Sequence, residues 1–279
     1  MDSARRHASE ASARAGVEVR TLGSGAELQA AADLLTDVWQ TPFDEHILRA
    51  LDLSGNYVAG AFDPAGVLVG TSVAWASVAP APELHSHVTG VLPGLRRSGV
   101  GVALKLHQRA WSLEHGIGTI TWTFDPLVRR NAVFNLARLG AVACGYLENI
   151  YGDRPDAVNL GETDRLWLRW ELTDPAVEAA AGGTPRRVRP PEGATQRLQP
   201  GPDGEPVELS ASAAPAPPAA AGAFICRVHP DIEVLRREDP VLAGDWRLAI
   251  RRVIGGALQA GGRVLGLDES GDYVIDPGA

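Results

Sequence analysis

The sequence predicts an α/β (α+β) protein: a mixed, mostly antiparallel central sheet flanked by helices, then a linker and a small α/β C-terminal extension. Three observations carry this. Segments of two-residue and 3.6-residue periodicity follow one another in the order βααβββαβαββ as far as Leu172. Asp63-Pro64-Ala65-Gly66, between two strand-like runs, is turn chemistry for an antiparallel pair. Ten of the twenty prolines lie between Pro175 and Pro218, and they separate this array from a second patterned region.

In chain order, residues 1–16 carry no apolar run and read as a disordered tail. Val17–Leu22 alternates as a strand. Leu28, Ala31, Ala32, Leu35 and Trp39 then give a helix from about Glu27 its buried stripe, and Pro42 breaks it. Asp44 caps a second helix with Ile47, Leu48 and Leu51. Tyr57–Phe62 and Val67–Ala76 pair across the Asp63 turn, and the strand from His85 follows. Its alternation puts His85, His87, Thr89 and Val91 on one face and Ser86, Val88 and Gly90 on the other. Pro93 and Gly94 end it. A helix with Val102, Leu106, Ala110 and Leu113 runs on to Gly116. Thr119–Phe124 is a buried strand, ended by Asp125-Pro126. A helix over about Arg130–Leu139 and strands at Ala141–Tyr146 and Leu166–Leu172 complete a domain spanning 17–173. Residues 174–222 read as a Pro/Ala-rich linker. Residues 223–279 hold a strand at Phe224–Val228, helices at Ile232–Glu238 and Leu242–Ala260, and a hairpin of Arg263–Leu267 with Asp272–Ile275. That extension is too short to be expected to fold alone, so it should pack on the domain before it.

A net charge of −8 and a pI near 5.4 give no general attraction to nucleic acid or anionic lipid. Cys144 and Cys226 stand in no metal-binding or disulfide pattern, and no stretch has the length and apolarity of a membrane span or signal peptide. The expectation is a soluble cytoplasmic protein without a metal, free or paired as a homodimer. Lys105 is the sole lysine, and the abundance of arginine is read as genomic composition.

Between the His85 strand and the next helix lies Leu95-Arg96-Arg97-Ser98-Gly99-Val100-Gly101. Small residues here let backbone N–H groups approach a ligand at a positively polarised helix start. Two arginines at that end oppose the helix dipole by roughly 0.3–1 kcal/mol each, which points to a polyphosphate; a solvated turn with two surface arginines is the equal alternative. A P-loop requires Lys-Ser/Thr where Val100-Gly101 stands. A Rossmann turn requires its glycines directly after the strand, so a dinucleotide such as NAD is disfavoured. The form Arg96-x-x-Gly99-x-Gly101, in this order of elements, resembles the acyl-CoA pyrophosphate loop of the GNAT N-acetyltransferase superfamily. The segments LHSHVTGVLP, LKLHQR, ITWTFDPL, RNAVFNLARLGA, NIYGD and TDRLWLRWEL are similar to an uncharacterised bacterial GNAT subgroup.

That resemblance implies a GNAT fold over Val17 to Leu172 and an acyltransferase moving an acyl group from acetyl-CoA or another acyl-CoA to a small-molecule amine or alcohol. It implies pyrophosphate contacts at Arg96, Arg97, Ser98, Gly99, Val100 and Gly101, pantetheine contacts near Gly90 and Val91 where two strands splay, and a cofactor contact at Asn131, which an N-cap role explains equally well. His85 and His87 are the candidate general bases, since imidazole titrates near neutrality; structural strand histidines are the alternative. A metal reading fails because His85-x-His87 lacks a third ligand. Asp125 either orients a cationic acceptor or a histidine, or is an Asp-Pro turn residue. Where many GNAT enzymes carry a tyrosine acid, this chain has Phe134-Asn135-Leu136, leaving Tyr151 or water in that role. The missing phenol keeps open a non-catalytic acyl-CoA sensor.

Overall fold

A computed structural model describes residues 2–77, 81–152, 162–209 and 222–278. Its elements begin with α1 (Asp2–Ala15), β1 (Glu18–Thr21), α2 (Gly25–Trp39), α3 (Glu45–Leu53), β2 (Tyr57–Phe62), β3 (Leu68–Ser77) and β4 (Glu83–Val91). There follow α4 (Val100–Glu114), β5 (Thr119–Phe124), α5 (Arg129–Ala132), β6 (Val142–Leu147), β7 (Arg165–Glu171) and α6 (Pro175–Ala181). The last are β8 (Thr195–Pro200), β9 (Pro206–Glu208), β10 (Phe224–Cys226), α7 (Ile232–Glu238), α8 (Pro240–Ile250), α9 (Gly256–Gln259), β11 (Arg263–Leu267) and β12 (Tyr273–Asp276). The chain divides into two compact units, Met1–Trp122 with Glu171–Gly182, and Thr123–Trp170 with Gly183–Ala279.

In the first unit β1, β2, β3 and β4 pair antiparallel in sequence order, and β4 then pairs β5 in parallel. The sheet is mixed and mostly antiparallel, as expected. Ser24 and Glu27 form a capping box at the start of α2, and the Asp44 carboxylate accepts the His46 N–H at the start of α3. Leu28, Leu35 and Leu48 from these helices pack with Val58, Val73 and Val88 of the sheet. Each such leucine contributes about 1.5–3 kcal/mol through burial. Val100 and Leu104 of α4 form another cluster with Ala61 and Val69, and Val91 packs against it.

The expected N-terminal tail is a helix. In α1, Ala4, His7, Ala8 and Ala11 are buried at helical spacing. Alanine is the strongest helix former, and a stripe of small side chains permits close approach to α4 where no apolar run is needed. The Arg5–Glu114 pair joins the start of α1 to the end of α4. At the other end a Cβ on Gly99 would meet the Ala15 Cβ at 3.5 Å, so the two helices run antiparallel.

In the second unit β6 and β7 form an antiparallel pair, and a separate five-stranded sheet has the order β11-β12-β10-β8-β9. This revises the expected linker. Asp174 caps α6, and β8 and β9 lie within 174–222, where β8 pairs in parallel with β10. Backbone pairing supplied the order that the proline count hid, because Thr195–Pro200 has one proline, at its end. The alanine-rich Ala213–Ala221 stretch lies outside the described residues. The C-terminal segment shares its unit with Thr123–Trp170: the Tyr273 hydroxyl donates to the Pro126 carbonyl at 2.8 Å, and the Arg186 N–H to the Ala137 carbonyl at 2.8 Å. Among the described residues no helix is long and apolar enough to cross a membrane.

Candidate active site

The strand-turn-helix unit from His85 onward is built around an irregularity in β4. Val73 pairs with Val88 and Ala74 with Ser86, so His87 is an extra residue, a β-bulge. The strict alternation expected from sequence therefore fails. A bulge reverses the facing of everything beyond it. Thr89 and Val91 join Ser86 on the α4 side: the Thr89 hydroxyl lies 2.9 Å from that of Ser72, which accepts from Gln108 of α4. Val88 and Gly90 lie on the α2 side, where a Cβ on Gly90 would meet Leu35 at 3.0 Å.

The parallel pairing of β4 with β5 is confined to Leu84↔Ile120 and His85↔Thr121. Among the described residues, Ser86 to Val91 have no β5 partner. This opening leaves strand backbone toward which an extended amide-bearing ligand can direct its own polar groups. Gly90 and Val91, expected to hold such a ligand, lie on this stretch.

The stretch leads into the glycine turn. Gly99 has φ +97° and is the N-cap of α4, with no side-chain cap. Arg97 adopts φ +78°, a left-handed conformation uncommon for a residue with a Cβ. The first hydrogen bond here runs from the Ala103 N–H to the Gly99 carbonyl at 3.0 Å, so the N–H groups of Val100, Gly101 and Val102 have no intrahelical acceptor. Arg96, Arg97 and Ser98 are exposed, and neither arginine makes an ion pair or side-chain hydrogen bond among the described residues. Unpaired N–H groups, the positive end of a 15-residue helix and two exposed guanidinium groups are the groups that an anion would require.

His85 and His87 flank Trp75 of β3, with ring centroids 5.5 and 4.6 Å from it. The His85 Nδ1 lies 3.4 Å from the Thr121 hydroxyl. His85 is half-buried and His87 exposed at its edge. Desolvation lowers both imidazole pKa values below the ordinary range; for His85, the neighbouring His87 and Lys105 add to it. Both rings are thus held toward the neutral form, the form that accepts a proton.

Sequence reasoning missed the polar network beneath this strand. Lys105 is buried; its ammonium donates to the Ser86 hydroxyl at 3.0 Å and the Gln108 amide oxygen at 2.7 Å, and lies 4.0 Å from the Trp122 ring centre. Burial lowers its pKa to about 7. The signal was present: Lys105, Gln108 and Ser112 recur at helical spacing along the apolar face of α4, and all three are buried.

Asp125 is not placed to orient an acceptor. It is buried in the second unit, where Arg247 donates to its two oxygens at 2.9 and 2.6 Å, Arg236 adds a third bond at 2.5 Å, and the Leu127 N–H donates to Oδ1 at 3.0 Å. Those arginines hold its carboxyl below the ordinary range against the opposing effect of burial. The Asp-Pro turn role holds, and the carboxylate in addition anchors α7 and α8. Asn131 is not an N-cap: Val128 is, and the Asn131 N–H donates to the Val128 carbonyl at 2.9 Å. The segment Val133–Arg138, which carries Phe134-Asn135-Leu136, is a π-helical turn continuing α5. Tyr151 is exposed in the second unit, its hydroxyl 3.5 Å from that of Thr123. No cluster of three or more metal-ligating side chains occurs among the described residues. A groove of about 710 Å³ between α1, β1 and α4, bordered by Arg5, Thr21, His107 and Trp111, contains none of these candidates.

No protein-family model matches the chain, and no curated protein matches it. Solved structures similar to it include the ribosomal-protein-S18-alanine N-acetyltransferase from Escherichia coli, at 15% identity over 57% of this chain and 95% of that one, TM-score 0.47. An N-acetyltransferase from Staphylococcus aureus Mu50 is similar at 14% identity over 56% and 99%, TM-score 0.48. A GNAT superfamily phosphinothricin acetyltransferase from Sinorhizobium meliloti, solved with acetyl-CoA, is similar at 18% identity over 55% and 87%, TM-score 0.46. With each TM-score below one half, the functional reading rests on the site's own geometry.

Proposed function

We propose that this chain is an acyltransferase that moves an acyl group from acyl-CoA, acetyl-CoA being the simplest donor, directly to a small-molecule amine or alcohol. The observation that carries this reading is the Arg96–Gly101 turn, with its unpaired helix N–H groups and two exposed arginines, continuous with a strand whose β5 side is open from Ser86 to Val91. A CoA thioester has both parts required: a pyrophosphate for the turn and an amide-bearing arm for the strand edge. The diphosphate sits on the N–H groups of Val100 to Val102, with Arg96 and Arg97 as charge partners, and the arm follows Gly90 and Val91.

The thioester then lies near the bulge, beside His85 and His87. A neutral imidazole takes the proton from the acceptor as its nitrogen or oxygen attacks the carbonyl carbon. The tetrahedral adduct collapses, the C–S bond breaks, and CoA leaves as a thiolate that is protonated from water. Asp125 stands outside this chemistry because its carboxylate is engaged by two arginines.

The absence of a phenol in Val133–Arg138 favours a second reading, an acyl-CoA-responsive interaction protein without turnover. An acceptor screen that detects free thiol separates the two. Thiol release dependent on an amine or alcohol supports the enzyme. Tight CoA binding with no release across amines, alcohols and peptides supports the sensor.

A further inference from the structure

The last paired residues of β4 and β5 are His85 and Thr121. The next residue on each strand is Ser86 and Trp122, and Lys105 touches both: its ammonium lies 3.0 Å from the Ser86 hydroxyl and 4.0 Å from the centre of the Trp122 ring. The sole lysine of the chain therefore sits at the apex of the fork where the two strands part. A leucine or methionine at this position would fill the space without the cost of burying a cation. Gln108 accepts a further bond from Lys105 and donates to Ser72, which in turn meets Thr89. One cation thus ties α4 to β4 on both sides of the bulge that presents His87.

We propose that Lys105 is a positioning residue of the acyl-transfer site: its buried ammonium fixes the fork between β4 and β5 and places a positive charge on the strand segment next to His85. This rests on the acyltransferase reading for its purpose, and on the contacts above for its existence. Among the described residues, the titratable and charged groups on β4 are Glu83, His85 and His87, that on β2 is Tyr57, and those on the lysine's own helix are His107, Arg109 and Glu114. Tyr57 and His107 bond each other at 2.9 Å, and Arg109 is engaged by the Leu172 carbonyl and Glu178. His85 is adjacent in sequence to Ser86, the lysine's acceptor, and so lies within reach of its charge. A positive charge beside an imidazole disfavours the imidazolium. Lys105 thereby holds His85 in its proton-accepting form at lower pH.

The test needs no knowledge of the acceptor. His85 is titrated by NMR in the full chain and in Lys105→Met, its resonance assigned with His85→Asn. CoA binding is measured by calorimetry on the same samples. The expected result is an upward shift of the His85 midpoint in Lys105→Met. Ser86→Ala, which keeps the lysine but removes its tether to β4, should give a smaller shift of the same sign, and it decides the matter if Lys105→Met does not fold. Unchanged midpoints in the folded variants overturn the proposal and leave Lys105 as packing. Failure of the parent to bind CoA is read before any variant and overturns the assignment to acyl transfer, whatever the midpoints do.

Discussion

Replacing Asp125 by asparagine should destabilise the second unit severely while leaving the Arg96–Gly101 turn intact. The Asp125, Arg236 and Arg247 side chains are each less than a tenth exposed, so the substitution removes the carboxylate charge that two desolvated guanidinium groups share. Removing one partner of a buried pair costs roughly 3–5 kcal/mol, because the remaining charge stays buried. At about 2–4 °C per kcal/mol for a unit of this size, the melting transition should fall by about 6–20 °C. Differential scanning calorimetry and urea titration of the full chain read this directly. A loss below about 1 kcal/mol, or a fall in turnover with no change in melting, would refute the structural role and restore Asp125 as a catalytic candidate. The pH dependence has a definite sign. Because the folded carboxyl sits below its unfolded value, its contribution is complete above the ordinary carboxylate range and is lost as pH falls through the depressed folded value, so it fails only in strong acid.

Other substitutions probe the site. Gly99→Val places a Cβ at φ +97° and against Ala15, so it should cost about 1–2 kcal/mol of stability and weaken CoA binding; unchanged affinity by calorimetry would argue against backbone approach at the turn. Once an acceptor is found, His85→Asn or His87→Gln should lower kcat/KM by roughly 10²–10⁴-fold with acyl-CoA affinity nearly unchanged. The parent's acidic limb should lie below the ordinary imidazole value of 6.5, since both pKa values are lowered; a limb and rate kept by both variants would make these histidines structural. Stability should also follow Lys105. Its folded pKa of about 7 lies below its ordinary 10.5, so the unfolded chain binds the proton first, and stability should fall as pH drops from 10.5 to about 7. Lys105→Met should flatten that slope in urea melts between these limits, and an unaltered slope would count against desolvation of this lysine.

Much of this was legible locally. Tyr57–Phe62, Thr119–Phe124 and Ile232–Glu238 match the expected bounds, and Asp44 is the cap that its position announced, because periodicity and side-chain capping act within one turn or strand. The glycine turn was legible for the same reason. What the sequence hid depends on partners distant along the chain. The bulge at His87 is set by pairing with Val73 and Ala74, and it reversed the facing of Thr89 and Val91. Arg236 and Arg247, which claim Asp125, lie more than a hundred residues away from it. The α1 helix was missed because its stripe is alanine, and Lys105 because a lone lysine among arginines reads as genomic composition until its partners are in view.

Arg96–Gly101 and the open edge of β4 are proposed to form an acyl-CoA site. Calorimetric titration of CoA and of NAD into the full chain and into Arg96→Ala/Arg97→Ala tests it most directly. The parent should bind CoA saturably and NAD not comparably, and the variant should lose roughly tenfold or more in CoA affinity, as expected for removing charge-assisted bonds worth about 1.5–3 kcal/mol. Saturable NAD binding without CoA binding, or CoA binding that is indifferent to both arginines, would contradict it.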